Sequence, residues 1–242
     1  MQFTDLYFSL VIPVYNEQDR LEPPLRSVFE YCSRFSRCEI IFSDDGSTDR
    51  TYEKLVEIRK DHPCIRIVQS DKNYGKGHAV KMGLAEAKGE VLLFSDADFS
   101  TPITDADLLF EALNAGCDLA FGSRGLLESN IVTHQPWYRE TAGKAGNLLA
   151  RALLPVNFHD TQCGFKMMTR KAADIVIPRL TIDGFAFDIE MLIIARQHGL
   201  EIAEVPVTWA NVEGTKVHAV HNLQVLGDLM RIRYRLGLGV YS

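Results

Sequence analysis

The chain of 242 residues is 46% hydrophobic and 24% charged, ordinary values for a folded protein that argue against disorder or low complexity as its theme. A net charge of −6 argues against a general nucleic-acid binder. Five cysteines at 32, 38, 64, 117 and 163, with no CxxC pair, indicate neither a zinc site nor a disulfide framework.

Reduced thiols fit a cytoplasmic setting. The N-terminus lacks the basic and small-residue marks of a signal peptide, and no apolar run approaches the roughly 18–20 residues that span a bilayer. A soluble or at most peripheral protein is expected.

In chain order, FSLVIPV (8–14) reads as a buried strand closed by a polar turn, and 18–35 as a helix. A strand at 39–43 follows, then the turn SDDGSTD and a helix over 48–62 that stops before Pro63. A strand at 65–70, a helix at 76–88 and a strand at 90–95 lead into Asp96-Ala97-Asp98. A helix over 105–115 and a strand over 118–123 complete the regular part, and another helix is expected over 137–153. This alternation predicts an α/β fold with a mostly parallel, doubly wound sheet and helices on both faces. We expect one domain over 1–242, with a donor half (1–124), an acceptor half (125–220) and an amphipathic basic end (221–242).

Such sheets bind ligands beyond the carboxyl ends of their strands. The polar motifs fall there: Asn16–Glu17, Asp44–Asp45, Asn73 and Asp96–Asp98 each follow a strand. Two carboxylates two residues apart at a strand end suit Mg²⁺ or Mn²⁺ bridging a diphosphate. Asp44 or Asp45 offers an acceptor to a nucleotide base, while Gly46 and Ser47, Thr48 or Asp49 shape and cap the turn. NYGKGHA (73–79) lacks the Walker spacing, so Lys76 either approaches a phosphate at a helix N-terminus or is solvated.

Together IPVYNE, DDGSTD, NYGKGHA, SDADFS and GSR, followed by RETAGKAGN, DTQCGFK, FAFDIEML and EVPVTWANVEGTK, resemble the inverting family 2 glycosyltransferases of GT-A fold. The second set resembles the subgroup of polyprenyl- and dolichyl-phosphate sugar synthases.

The resemblance implies a nucleotide-sugar donor, with UDP-glucose ahead of GDP-mannose, and a polyprenyl-phosphate acceptor; a soluble hydroxyl acceptor is the alternative. It places Pro13, Tyr15, Glu17 and Asp45 around the nucleoside, Asp96 and Asp98 on the metal and diphosphate, and Lys216 on the diphosphate. Arg124 and Arg139 would clamp the acceptor phosphate, whose oxygens match guanidinium forks. Asp160, Gln162 and Glu190 would be polar groups of the sugar side, and an acid in the apolar run FDIEMLIIA must find a partner.

A phosphate acceptor is already anionic, so no general base is required; Asp160 or Glu190 would serve a hydroxyl acceptor. The C-terminal stretch with Arg231, Arg233 and Arg235 either lies on an anionic membrane surface or packs on the core or a dimer partner.

Overall fold

The structure is a computed structural model that describes residues 3–212 and 219–241. The side chains at 3, 23, 138, 139, 142, 144 and 219–223 lie outside the described ones. Nine strands and eight α-helices are described: β1 (Tyr7–Val14), α1 (Glu22–Cys32), β2 (Arg37–Asp44), α2 (Thr51–Asp61), β3 (Ile65–Gln69), α3 (Lys76–Glu86) and β4 (Val91–Ser95). There follow α4 (Ala106–Asn114), β5 (Leu119–Ser123), β6 (Asn130–Thr133), α5 (Trp137–Leu153), β7 (Phe165–Thr169), α6 (Arg170–Val176), α7 (Phe187–Gln197), β8 (Ile202–Pro206), β9 (Thr208–Ala210) and α8 (Ala219–Gly237).

Seven strands form one sheet in the order β3-β2-β1-β4-β7-β5-β8, and β6 pairs with β9 in a separate parallel ribbon. All pairings in the large sheet are parallel except those of β7, which runs antiparallel to both β4 and β5. The carboxyl ends of β1 to β5 and of β8 therefore share one edge with the start of β7. The two expected halves are not separate bodies: β5, from the first, lies between β7 and β8, from the second.

Alternation along each strand divides the core. Val11, Ile41, Leu92 and Phe94 face one side with α3, α6, α7 and α8, while Leu10, Ile12, Phe42 and Leu93 face the other with α1, α2 and α4. No helix among the described residues is long and apolar enough to cross a membrane.

Two helices start later than the periodicity suggests, for local reasons. Prolines in the first turn of α1 are tolerated only near a helix start, so residues 17–21 form turns. In the turn after β2, Asn16 Oδ1 accepts from Thr48 N at 2.8 Å, and Asp49 Oδ1 accepts from Thr51 N at 2.9 Å. That knot holds residues 46–50 off the helix. Gly46 sits at φ 68°, and a Cβ there would stand 2.4 Å from the Lys72 backbone.

Candidate active site

Strand ends β1, β2 and β4, the start of α3 and the 181–185 loop surround a cleft of about 900 Å³. Pro13, Tyr15, Glu17, Asp45, Lys76, Asp96 and Asp98 all line it, so the structure brings together seven residues singled out in the sequence. Lys216 lies outside the described residues. Asn73, another strand-end residue, lines the cleft as well, and so do Arg20, Phe185, Gln224 and Asp228; the last three were not anticipated because the 181–185 loop and α8 reach it only through tertiary packing.

Several of these acids first build the cleft. Asp44, fully buried, accepts from Ser47 N at 3.0 Å and Gln69 Nε2 at 2.9 Å, which makes it a turn anchor. Asp45 accepts from Gly75 N at 2.7 Å and Tyr74 N at 3.1 Å, fixing the loop before α3. Burial pushes the Asp45 carboxyl up, against the pull of those two amides. Glu17 grips Arg20 in a fork, with Nε and Nη2 at 2.8 and 2.9 Å.

At the centre, Asp96 N continues the β4–β7 ladder by donating to Gly164 O at 2.9 Å. Its carboxylate lies against Gly164 itself, where a Cβ would stand 2.1 Å from Oδ2. Lys76 Nζ stands 2.7 Å from Asp96 Oδ1. Burial works to lower the Lys76 pKa, but Asp96, Asp188 and Asp98 outweigh it and hold the ammonium above its ordinary value. Burial and then the like charge of Asp96 push the Asp98 carboxyl up, although Ser100 N donates to it at 3.0 Å.

A second cavity, of about 250 Å³, opens past Gly164 and is lined by Arg124, Asp160 and Gln162 together with His134, Asn147, His159 and Trp209. Arg124 and Asp160 hold each other through Nε and Nη2 at 2.6 and 2.8 Å, and the guanidinium lies 5.5 Å over the Trp209 ring. Burial raises the Asp160 carboxyl, yet Arg124 outweighs it and keeps it below the usual carboxylate range. An acid held ionised in this way orients the arginine and is poorly suited to taking a proton. Arg139 falls on α5, but its side chain lies outside the described residues.

Glu190 stands apart from both cavities. It is fully buried on α7 and lines neither cavity. Its carboxylate accepts from Thr181 N and Ile182 N at 2.9 Å, from Tyr241 Oη at 2.8 Å and from the Thr181 hydroxyl. The costly acid in an apolar helix does find partners, but they are loop and C-terminal groups, so its work is structural. Two residues of the same motifs were passed over. Lys166 of CGFK and Asp188 of FDIE form a buried ion pair at 2.6 Å. The signal was available, since a lysine inside an apolar strand calls for a buried anion.

A doubly wound sheet whose strand ends gather an acid pair, a lysine and a second, arginine-bearing cavity is the layout of a GT-A glycosyltransferase. A solved structure shares the fold: glucosyl-3-phosphoglycerate synthase from Mycobacterium tuberculosis, in complex with Mn²⁺, UDP and phosphoglyceric acid, aligns with a TM-score of 0.64 at 23% identity over 94% of this chain and 78% of its own. The family model for glycosyl transferase family 2 matches residues 9–176, and the chain belongs to that family.

Similar proteins include the dolichyl-phosphate beta-glucosyltransferases of Dictyostelium discoideum (33% identity, covering 98% of this chain and 77% of the relative) and Homo sapiens (33%, 96% and 76%). That of Saccharomyces cerevisiae is 32% identical over 98% of this chain and 77% of the relative.

Proposed function

We propose that the chain transfers glucose from UDP-glucose to the phosphate of a dolichyl or other polyprenyl phosphate, with a divalent cation at Asp96 and Asp98. One observation carries the geometry. The 160–164 turn links the two cavities: Asp160 and Gln162 line the smaller one, and Gly164 presses against the carboxylate of Asp96, which lines the larger. A donor diphosphate at Asp96 and an acceptor phosphate beside Arg124 would thus meet across one turn. The relatives named dolichyl-phosphate beta-glucosyltransferase support the choice of sugar and acceptor.

The residues suit a hard cation. Asp96 and Asp98 are oxygen donors whose mutual repulsion a divalent charge relieves, and among the described residues no three His, Cys, Asp or Glu side chains converge on one point. The remaining ligands would be diphosphate oxygens and water, a division that suits Mg²⁺ or Mn²⁺. Once bound, the cation supplies charge neutralisation to the departing diphosphate.

The chain's own groups do the rest. Lys76 faces the same departing charge, and Arg124, pre-oriented by Asp160, holds the acceptor phosphate. A phosphate oxygen attacks the anomeric carbon while the bond from that carbon to the diphosphate oxygen breaks, inverting the centre. The nucleophile is already anionic, so positioning and charge dominate.

Access to a lipid acceptor would come from α5 and α8, which pack together. On α8, Leu229 and Ile232 are buried, whereas Leu226, Met230 and Tyr234, with Leu238 just beyond the helix, are exposed beside the exposed Arg231 and Arg233. On α5, Trp137, Leu148 and Leu149 are exposed too. An apolar face with cations at its side suits an anionic bilayer surface.

The test is incubation with UDP-glucose, Mg²⁺ or Mn²⁺ and a short polyprenyl phosphate. A glucosylated lipid phosphate is expected. Transfer to a sugar or protein hydroxyl, with none to the lipid phosphate, would sink the acceptor assignment.

A further inference from the structure

Behind the acid pair lies a layer of charge that neither cavity exposes. Lys166 on β7 is fully buried, and its ammonium donates to the Cys163 carbonyl at 2.5 Å and to Asp188 Oδ1 at 2.6 Å. It also lies 5.5 Å from the Phe94 ring and 5.6 Å from that of Phe121. In such apolar surroundings a hydrophobic pair of similar volume would be as stable or more so, so stability alone does not account for the ion pair.

The second partner of Asp188 supplies a reason. Lys76 Nζ stands 5.9 Å over the ring of Phe187, the residue before Asp188, and a Cβ at Gly77 would meet the Phe187 Cβ at 2.8 Å. The start of α3 is therefore pressed against the start of α7, and Asp188 acts on Lys76 as well as on Lys166. Two ion pairs thus meet where α3 packs on α7: Lys166 with Asp188, and Lys76 with Asp96.

We propose that Asp188 is a positioning residue, the standing counter-ion that lets Lys76 and a divalent cation share the Asp96 carboxylate. This rests on the reading of Asp96 and Asp98 as the cation site. When a cation takes Asp96, Lys76 loses its nearest anion, 2.7 Å away, and faces added positive charge. Asp188 remains as a nearby anion, because its 2.6 Å pairing with Lys166 fixes that carboxylate in place. Without Asp188 the ammonium would compete with the cation for Asp96.

Mn²⁺ binding, followed by electron paramagnetic resonance on the protein and metal alone, tests this. Replacing the buried pair together, Asp188→Asn with Lys166→Met, keeps the core balanced in charge. It should weaken Mn²⁺ binding about tenfold, and adding Lys76→Met should restore it to within about threefold. Lys76→Met in the otherwise unaltered chain should shift Mn²⁺ affinity less than about threefold, since Asp188 already balances that lysine.

A merely structural pair predicts unchanged Mn²⁺ affinity in the folded pair variant, which would overturn the proposal, as would failure of Lys76→Met to restore binding. If the pair variant does not fold, the single Lys76→Met decides, and tightening of more than about tenfold overturns the proposal. Failure of the cation-site reading looks different: the unaltered chain would bind no Mn²⁺, and the proposal would fall with it.

Discussion

Gly164 shows how narrowly single residues define this centre. Asp96 reaches the strand-end edge through the β4–β7 ladder, and its carboxylate has room only because residue 164 has no side chain. The Gly164 backbone is not in the left-handed region, so alanine is allowed locally. The strain of a Cβ would fall on the end of the Asp96 side chain, turning the carboxylate away from Asp98.

Gly164→Ala should therefore lower kcat about 100-fold or more, as misplacement of a positioning group by an ångström does. Thermal stability should shift by only a few degrees, because the carboxylate can swing toward solvent. Steady-state kinetics with a melting curve on the same preparation separate the two effects. A variant with parental kcat would show that Asp96 does not need its present orientation.

At the scale of elements, the chain end just beyond α8 braces the donor cleft. Tyr241 Oη donates to Glu190, Glu190 holds the amides of residues 181 and 182, and Gly184 and Phe185 of that loop line the cleft. Burial and then the Glu190 charge push the Tyr241 pKa up to about 12, against 10.0 for a free phenol. A raised folded-state pKa contributes stability that is complete below pH 10 and is lost as pH rises toward 12.

The contribution is on the order of 2 kcal/mol, since one pKa unit is worth about 1.4 kcal/mol and screening reduces the sum. Tyr241→Phe removes the phenol and leaves Glu190 short of a donor, so it should cost about 1–3 kcal/mol at pH 8. It should also lose that part of the alkaline decline, which denaturant unfolding at pH 8, 10, 11 and 12 measures. Equal alkaline slopes in the two chains would refute the assignment.

The same elements show what the sequence made legible. Strands β1 to β5 and helices α1 to α4 were readable because each carries a local signature: an apolar run, a turn residue, a helical period. The strand-end acids were readable for the same reason. Glu190 misled because composition reports that a buried acid needs partners without naming them. Arg124 and Asp160 were each assigned a separate task, whereas their bidentate pairing depends on β5 meeting the turn before β7, a contact 36 residues apart in sequence. The roles of Gln224, Asp228 and Tyr241 were invisible because nothing local in α8 says which face of the sheet it covers.

At the scale of the whole molecule, the proposed lipid acceptor sets a condition: a chain of net charge −6 would approach an anionic surface against its own field. Attraction would therefore have to be local, and on the proposed reading the exposed side of α8 would supply it, with Met230 and Tyr234 offering apolar area and Arg231 and Arg233 offering charge. Burying one such side chain in the interface is worth about 1.5–3 kcal/mol, and each cation near the surface about 1 kcal/mol.

Met230→Glu with Tyr234→Glu removes that apolar area and reverses the local charge. It should weaken binding to phosphatidylserine vesicles at least about tenfold. Binding of the unaltered chain should itself fall as salt screens the headgroups. Both side chains point away from the core and line neither cavity, so transfer to a short, water-soluble polyprenyl phosphate should keep its parental rate, while transfer to the same headgroup on a long chain in vesicles should slow. Flotation on a sucrose gradient and paired transfer assays read both arms. If the double variant floats with the vesicles as the parent does, some other face of the molecule meets the lipid.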